Sequence, residues 1–238
     1  MPLTPIHGSQ AELMLDEFDI SHFARSASMA GAMEIHDATG LGQTSRIKVP
    51  GAKHATSSAE LFVDITDITG SYAILTGRYG GTSGLLTLAP KGFAVGNPVS
   101  HMYAKQINLV QRPIIDDLQT FTYNAESEGD GIDFGVSLHA KTTETAGGNS
   151  ASVDNGAATA NGGVAVIHVY SLAGGNLAPK VQDSSNGTVW TDLAAFTTLT
   201  AIGKQRIEVT GAVKQYLRLL WTKSTADLIG FAAAFARR

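Results

Sequence analysis

The chain has 238 residues, of which 43% are hydrophobic and 16% charged, with 17 Lys and Arg against 21 Asp and Glu. That composition excludes intrinsic disorder, which needs low hydrophobicity and high charge. The net charge of -4 argues against a general binder of nucleic acid or anionic membranes, which carries a basic excess. Cysteine is absent, so disulfide scaffolds, thiol catalysis and cysteine-ligated zinc are out. No apolar run has the length of a membrane-spanning helix. The first residues lack the basic then apolar layout of a secretory leader, so none is expected.

Along the chain the helical period is nearly missing. Short apolar or β-branched runs recur at 11–15, 59–63, 84–88, 118–123, 135–139, 164–170, 206–209, 216–221 and 231–235, separated by Gly, Asn, Ser and Asp. Such runs read as strands of a sandwich or barrel. Residues 99–110 read as a longer strand that stops at Pro113. One helix is expected near 67–78, capped by Thr66 or Thr69, although Gly70 and Gly77 weaken it.

Two stretches break the rhythm. Residues 38–56 are polar, hold Gly40, Gly42, Pro50 and Gly51, and read as a long loop with a strand only near 46–49. Residues 144–163 are almost wholly Gly, Ala, Ser, Thr, Asn and acids, and read as a flexible loop. The expected organisation is therefore an N-terminal β part over 1–143, that loop, and a C-terminal β unit over 164–238 completing the same sandwich. The fold class is mainly β.

Charge is unevenly placed. Acids including Asp116, Asp117, Asp130 and Asp133 crowd the middle, whereas bases including Arg206 and Arg218 crowd the C-terminal part. A scattered solvated surface is one reading. The other is a head-to-tail assembly in which one face of a subunit complements the opposite face of its neighbour. The loop at 38–56 carries Arg46, Lys48, Lys53 and His54 beside Ile47 and Val49, which have nothing obvious to bury against. Apolar residues in an exposed loop point to a partner surface, with folding over its own sheet as the alternative.

Site chemistry is looked for and not found, and no catalytic, metal or cofactor residue is assigned. The seven histidines form neither HExxH nor an i, i+4 pair on a helix. His101, His139 and His168 fall inside expected strands, where a hydrogen-bonded structural histidine is the commoner case. There is no GxSxG elbow, no GK[ST], and the glycines at 129, 131 and 135 miss GxGxxG by one residue. The acids at 126–133 lack the ligand spacing of a calcium loop and read as a charged turn. Trp190 follows an Asn-Gly turn, which suits either a sugar-stacking aromatic or, more commonly, a ring packed across its own sheet.

Three passages carry a resemblance. Asp19-Ile-Ser21, then Met33-Glu-Ile-His-Asp37-Ala-Thr39, then Val49-Pro-Gly51 form the first. Leu86-Thr-Leu-Ala-Pro90-Lys-Gly92 with Gly96-Asn-Pro98 forms the second. The third is the run from Gln182 to Leu193 around Trp190, followed by Gln205-Arg-Ile-Glu-Val209 and Tyr216-Leu-Arg218. Together they resemble the major tail tube proteins of siphophages and related gene-transfer particles, with His36-Asp37-Ala-Thr39 departing from the usual Asp-Val-Thr. The resemblance implies a tail-tube-type β-sandwich or barrel with one flanking helix and no enzymatic activity. It further implies hexameric rings of the chain itself, stacked into a tube through which double-stranded DNA passes without specific binding. Tape measure and tail terminator proteins are the implied partners, and a virion tail assembled in the host cytoplasm the implied place. The loop at 38–56 is implied to reach the adjacent ring. A carbohydrate- or receptor-binding sandwich, and a capsid decoration or tail-completion protein, stay open as alternatives.

Overall fold

A computed structural model describes residues 8–113, 115–129 and 131–238. In chain order the first strands are β1 (Glu12–Leu15), β2 (Phe18–Asp19), β3 (Ala24–Asp37) and β4 (Lys48–Phe62). Helix α1 (Ser71–Arg78) follows, then β5 (Gly84–Ala89), β6 (Pro98–Arg112), β7 (Thr120–Ser127) and β8 (Asp133–Glu144). Two short strands come next, β9 (Gly148–Asn149) and β10 (Val153–Asp154). The rest are β11 (Gly163–Leu172), β12 (Leu177–Ser184), β13 (Thr191–Ala195), β14 (Gly203–Val209), β15 (Tyr216–Lys223) and β16 (Ile229–Arg237). The fold is mainly β, its strand pairs are antiparallel, and α1 is the one α-helix among the described residues. A 3-10 turn at Asp67–Thr69 leads into it, so the helix stands where the sequence placed one. Its cap differs from expectation. Gly70 is the N-cap, and Ser71 does the tying, its hydroxyl donating to the Phe62 carbonyl and accepting from the Asp64 amide.

The chain divides into two compact units, which do not follow the split expected at 144–163. One comprises the residues up to His22, Leu85–His101 and Asp133–Arg238; the other comprises Phe23–Gly84 and Met102–Ile132.

The first unit is a sandwich. One layer runs β14-β11-β16-β8 and on through the first residues of β6 to β5, β1 and β2. The other runs β10-β15-β12-β13, with β9 also on β15. Alternation explains the core between them. Ala165, Ile167, Val169, Phe231, Ala233 and Phe235 face inward from β11 and β16, against Val181, Leu217, Leu219 and Trp221 from β12 and β15. Residues 144–163, expected to be a flexible loop, are instead tied down along β15. Val153 pairs with Leu217, and Gly148 pairs with Trp221. The Ser150 hydroxyl accepts the Leu219 amide at 2.9 Å, and the Trp221 indole donates to the Ala146 carbonyl at 3.0 Å. Small residues suit this course because backbone, not side chain, makes the contacts; the Trp221 ring lies 3.2 Å from where a Cβ on Gly148 would stand.

The second unit is an antiparallel sheet in the order β3-β4-β7 and the C-terminal part of β6. One of its faces is buried through Ala55, Ser57, Ala59 and Leu61 of β4 and Phe121, Tyr123 and Ala125 of β7. Helix α1 belongs to this unit, with Ile74 and Leu75 buried and the Tyr72 ring 5.9 Å from that of Phe121.

Candidate assembly surface

The expected loop at 38–56 is a loop only over 38–47, because residues 48–56 lie within β4. Strands β3 and β4 pair from Ala24 and Leu61 out to Asp37 and Lys48. Strand β7 accompanies β4 only from Thr56 to Phe62. Beyond Ala55 the pair continues as a two-stranded ribbon. Its turn is closed locally: the Thr39 hydroxyl donates to Asp37 and accepts the Ile47 amide at 3.0 Å, while the Ala38 amide reaches the Ile47 carbonyl. Between the pairs Met33–Lys53 and Ile35–Pro50 two residues of β4, Gly51 and Ala52, stand against Glu34 alone, a bulge in β4. A Cβ on Gly51 would fall 2.5 Å from the exposed His36 ring, which would have to turn aside.

Directly paired residues share a face of a sheet. Ile35 pairs with Pro50 and His36 with Val49, so Ile35 and Val49 lie on opposite faces of the ribbon. Ile35 is 60% exposed and Val49 44%, and Met33, Leu41 and Ile47 are exposed as well. A lone two-stranded hairpin is marginal in water, and this one presents apolar side chains to solvent on both sides. Ile47 and Val49 were legible in the sequence as residues without a burial partner; Met33 and Ile35 belong with them and were missed, although they alternate visibly. Arg46, Lys48, Lys53 and His54 are all exposed on the same ribbon. Lys48 lies 3.4 Å from Asp37, whereas Arg46 and Lys53 make no ion pair among the described residues.

The opposite end of this sheet has a second exposed set. Because β7 pairs Thr120 with Phe62 of antiparallel β4, the loops at 63–70 and 113–119 lie away from the ribbon turn. They are joined by the Val63 amide, which donates to the Gln119 carbonyl at 2.9 Å. Ile65, Ile68, Ile115 and Leu118 are exposed there, Ile115 completely. Asp67, Asp116 and Asp117 stand among them, also exposed. The signal in the sequence was Ile-Asp-Asp-Leu in a loop, apolar residues flanking acids with no strand to join.

The charged residues expected to meet between subunits are largely occupied within the chain. Arg206 reaches Asp133 at 3.3 Å and Glu208 at 2.7 Å. Arg218 donates to Gln182 at 2.9 Å and its guanidinium lies 4.3 Å from the centre of the Trp190 ring. That contact covers one face of the half-buried ring with an intramolecular cation. Asp116 and Asp117 remain without an ion pair among the described residues. Asp130 lies outside the described residues.

The three strand histidines are buried. Burial pushes His168 down to about 3, and its ring is held by Thr87 and the Asp16 carbonyl. Burial pushes His101 down to about 4 against the pull of the Asp133 carboxylate 4.0 Å from its Nδ1, and neither ring nitrogen makes a hydrogen bond among the described residues. His139 is lowered too, again chiefly by burial, and stacks on Phe231 at 4.0 Å. No group of three or more His, Asp or Glu among the described residues is placed to hold a metal ion. No helix among them is long and apolar enough to cross a membrane.

No family model matches this chain, and no curated protein matches it. Solved structures similar to it include parts of phage and gene-transfer-agent tails, hubs and baseplates, and also particles of infectious bursal disease virus. A chain of the native gene transfer agent virion is 14% identical, with 55% of this chain and 98% of that one covered and a TM-score of 0.45. The SPP1 Dit protein, of a hub adsorption apparatus in phages infecting Gram-positive hosts, is 12% identical over 95% and 98%, with a TM-score of 0.38. A chain of the activated phage p2 baseplate is 10% identical over 96% and 98%, with a TM-score of 0.33. At such values the functional reading rests on the chain's own residues.

Proposed function

We propose that this chain is a structural, non-enzymatic subunit of a phage-type tail, which assembles with copies of itself into stacked rings forming a tube. The observation that carries this reading is the β3–β4 ribbon, with apolar side chains exposed on both faces of a two-stranded hairpin. A subunit that stayed alone would gain by covering or shortening it. Strand β3 supports the same reading: among the described residues it pairs only with β4, so every other residue along its 14-residue length turns backbone groups to an open outer edge. Six-fold closure, passage of double-stranded DNA through the lumen, and the tape measure and terminator partners follow from the sequence resemblance to siphophage tail tube proteins. So do the virion tail as its destination and the host cytoplasm as its place of assembly.

The test is direct. Purified protein, followed by sedimentation and negative-stain microscopy across a concentration series, is expected to give rings or tubes. Protein that stays monomeric at every concentration would sink the assembly reading, and binding to a glycan array by that monomer would favour a receptor-binding sandwich.

A further inference from the structure

We propose that Asn161 is a self-modification site, where the Gly162 amide nitrogen attacks the Asn161 side chain and converts it through a succinimide to aspartate and isoaspartate. In the first step the Gly162 nitrogen gives up its proton and bonds to Asn161 Cγ. The Cγ–Nδ2 bond breaks, and the side-chain nitrogen leaves with that proton as ammonia. Water then opens the five-membered ring at either carbonyl. One opening gives aspartate; the other gives isoaspartate, which carries the main chain through Cβ and lengthens it by one atom.

The chain holds Asn-Gly pairs at 155–156, 161–162 and 186–187. Asparagine is a thermolabile residue, and a following glycine favours the attack because no Cβ shields its nitrogen. Hydrogen bonds tell the three pairs apart. At the first, the Gly156 amide donates to Asp154 at 2.8 Å and the Asn155 side chain donates to the Gln215 carbonyl at 3.0 Å. At the last, the Gly187 amide donates to the Ser184 hydroxyl at 3.0 Å, while Asn186 Oδ1 accepts the Thr188 and Val189 amides. Attacking and attacked groups are both held at these two pairs. Asn161 is exposed, and among the described residues neither its side chain nor the Gly162 amide makes a hydrogen bond. The modification falls at a structural tie. The Asn161 amide donates to the Thr159 hydroxyl, which donates to the Arg238 carbonyl at 2.8 Å, and the Gly162 carbonyl accepts the Arg238 amide at 3.1 Å. An extra main-chain atom at position 161 enters that tie just before β11 begins.

The test follows the full-length protein in mildly alkaline buffer, folded and in denaturant, with peptide mass mapping of the three pairs over time. In the folded protein position 161 is expected to convert about fivefold or more faster than 155 and 186, the factor set by one hydrogen bond broken beforehand. In denaturant the three rates should draw together, because the dipeptides are the same. Any other order in the folded protein, or a lead for position 161 that persists undiminished in denaturant, would overturn the assignment. Asn161→Gln should stay unconverted, since its longer side chain must close a six-membered ring. Ser184→Ala removes the acceptor of the Gly187 amide. It should raise conversion at 186 and leave the rate at 161 as it was. A folded Ser184→Ala protein, checked by circular dichroism, in which 186 converts no faster than before would show that these hydrogen bonds do not select the site.

Discussion

Arg206 meets Asp133 at 3.3 Å inside one chain, and Arg238 reaches the other oxygen of the same carboxylate at 3.1 Å. Asp133 is thereby shared by two guanidiniums at the start of β8, with its side chain only 10% exposed. The pairing belongs to the fold of the first unit.

Asp133→Ala is accordingly expected to cost about 2 kcal/mol, since it removes the acceptor shared by two part-buried guanidiniums and leaves Arg206 only the more exposed Glu208. Arg206→Glu should lower the melting temperature as well, by setting a carboxylate against Asp133. If Arg206→Glu instead leaves the melting curve of the monomer unchanged and alters only assembly, the intramolecular role is wrong.

The buried histidines set an acid limit. In the unfolded chain their rings take up protons as pH falls below about 6.5. In the folded chain burial holds His101 neutral down to about 4 and His168 down to about 3. Within that window the unfolded state binds more protons, so stability is full above about pH 6.5 and declines as pH drops toward the folded values. His101→Phe removes a ring whose nitrogens make no hydrogen bond among the described residues. It should leave stability at pH 7.5 unchanged or higher and make the acid decline shallower. Denaturant midpoints at a series of pH values give the slope, and an unaltered slope in His101→Phe would contradict this account.

On the ribbon, Ile35→Asp and Val49→Asp probe opposite faces. Each residue is exposed in the single subunit, so either change should shift monomer stability by less than about 0.5 kcal/mol. Both should impair assembly, because a partner wrapping a two-faced ribbon buries both side chains. A large drop in melting temperature would show that the ribbon packs on its own subunit. Loss of assembly from one face only would mean that the partner covers a single side.

Limited proteolysis of the monomer should cut first within 38–47, at the ribbon turn. Residues 144–163, despite their composition, should resist until the sandwich opens. Ser150→Ala takes away the acceptor for the Leu219 amide and should cost about 1 kcal/mol. The same change should make 144–163 the next site of cleavage. Early cleavage there in unaltered protein would contradict the pairing with β15.

A short β-branched apolar run such as Val164 to Val169 is a property of neighbouring residues, so the β class and most strands could be read without a structure. The single helix was readable for a similar reason: a short apolar run between Gly70 and Gly77 has few alternatives. The same local logic singled out Ile47 and Val49 as lacking anything to bury against. What it could not decide was pairing. Residues 48–56 look like a polar loop because a two-sided exposed strand carries no inward face, and only the partner β3 makes them extended. Residues 144–163 look mobile because they bring almost no apolar area, and their order comes from the open edge of β15 and from Trp221, some 75 positions away. Arg206 was assigned to a neighbour by charge clustering along the chain. Its acceptor is Asp133, 73 residues distant, because the order of β14, β11, β16 and β8 folds those positions together. Register across non-local strands is set by the whole core at once, and no window of sequence contains that information.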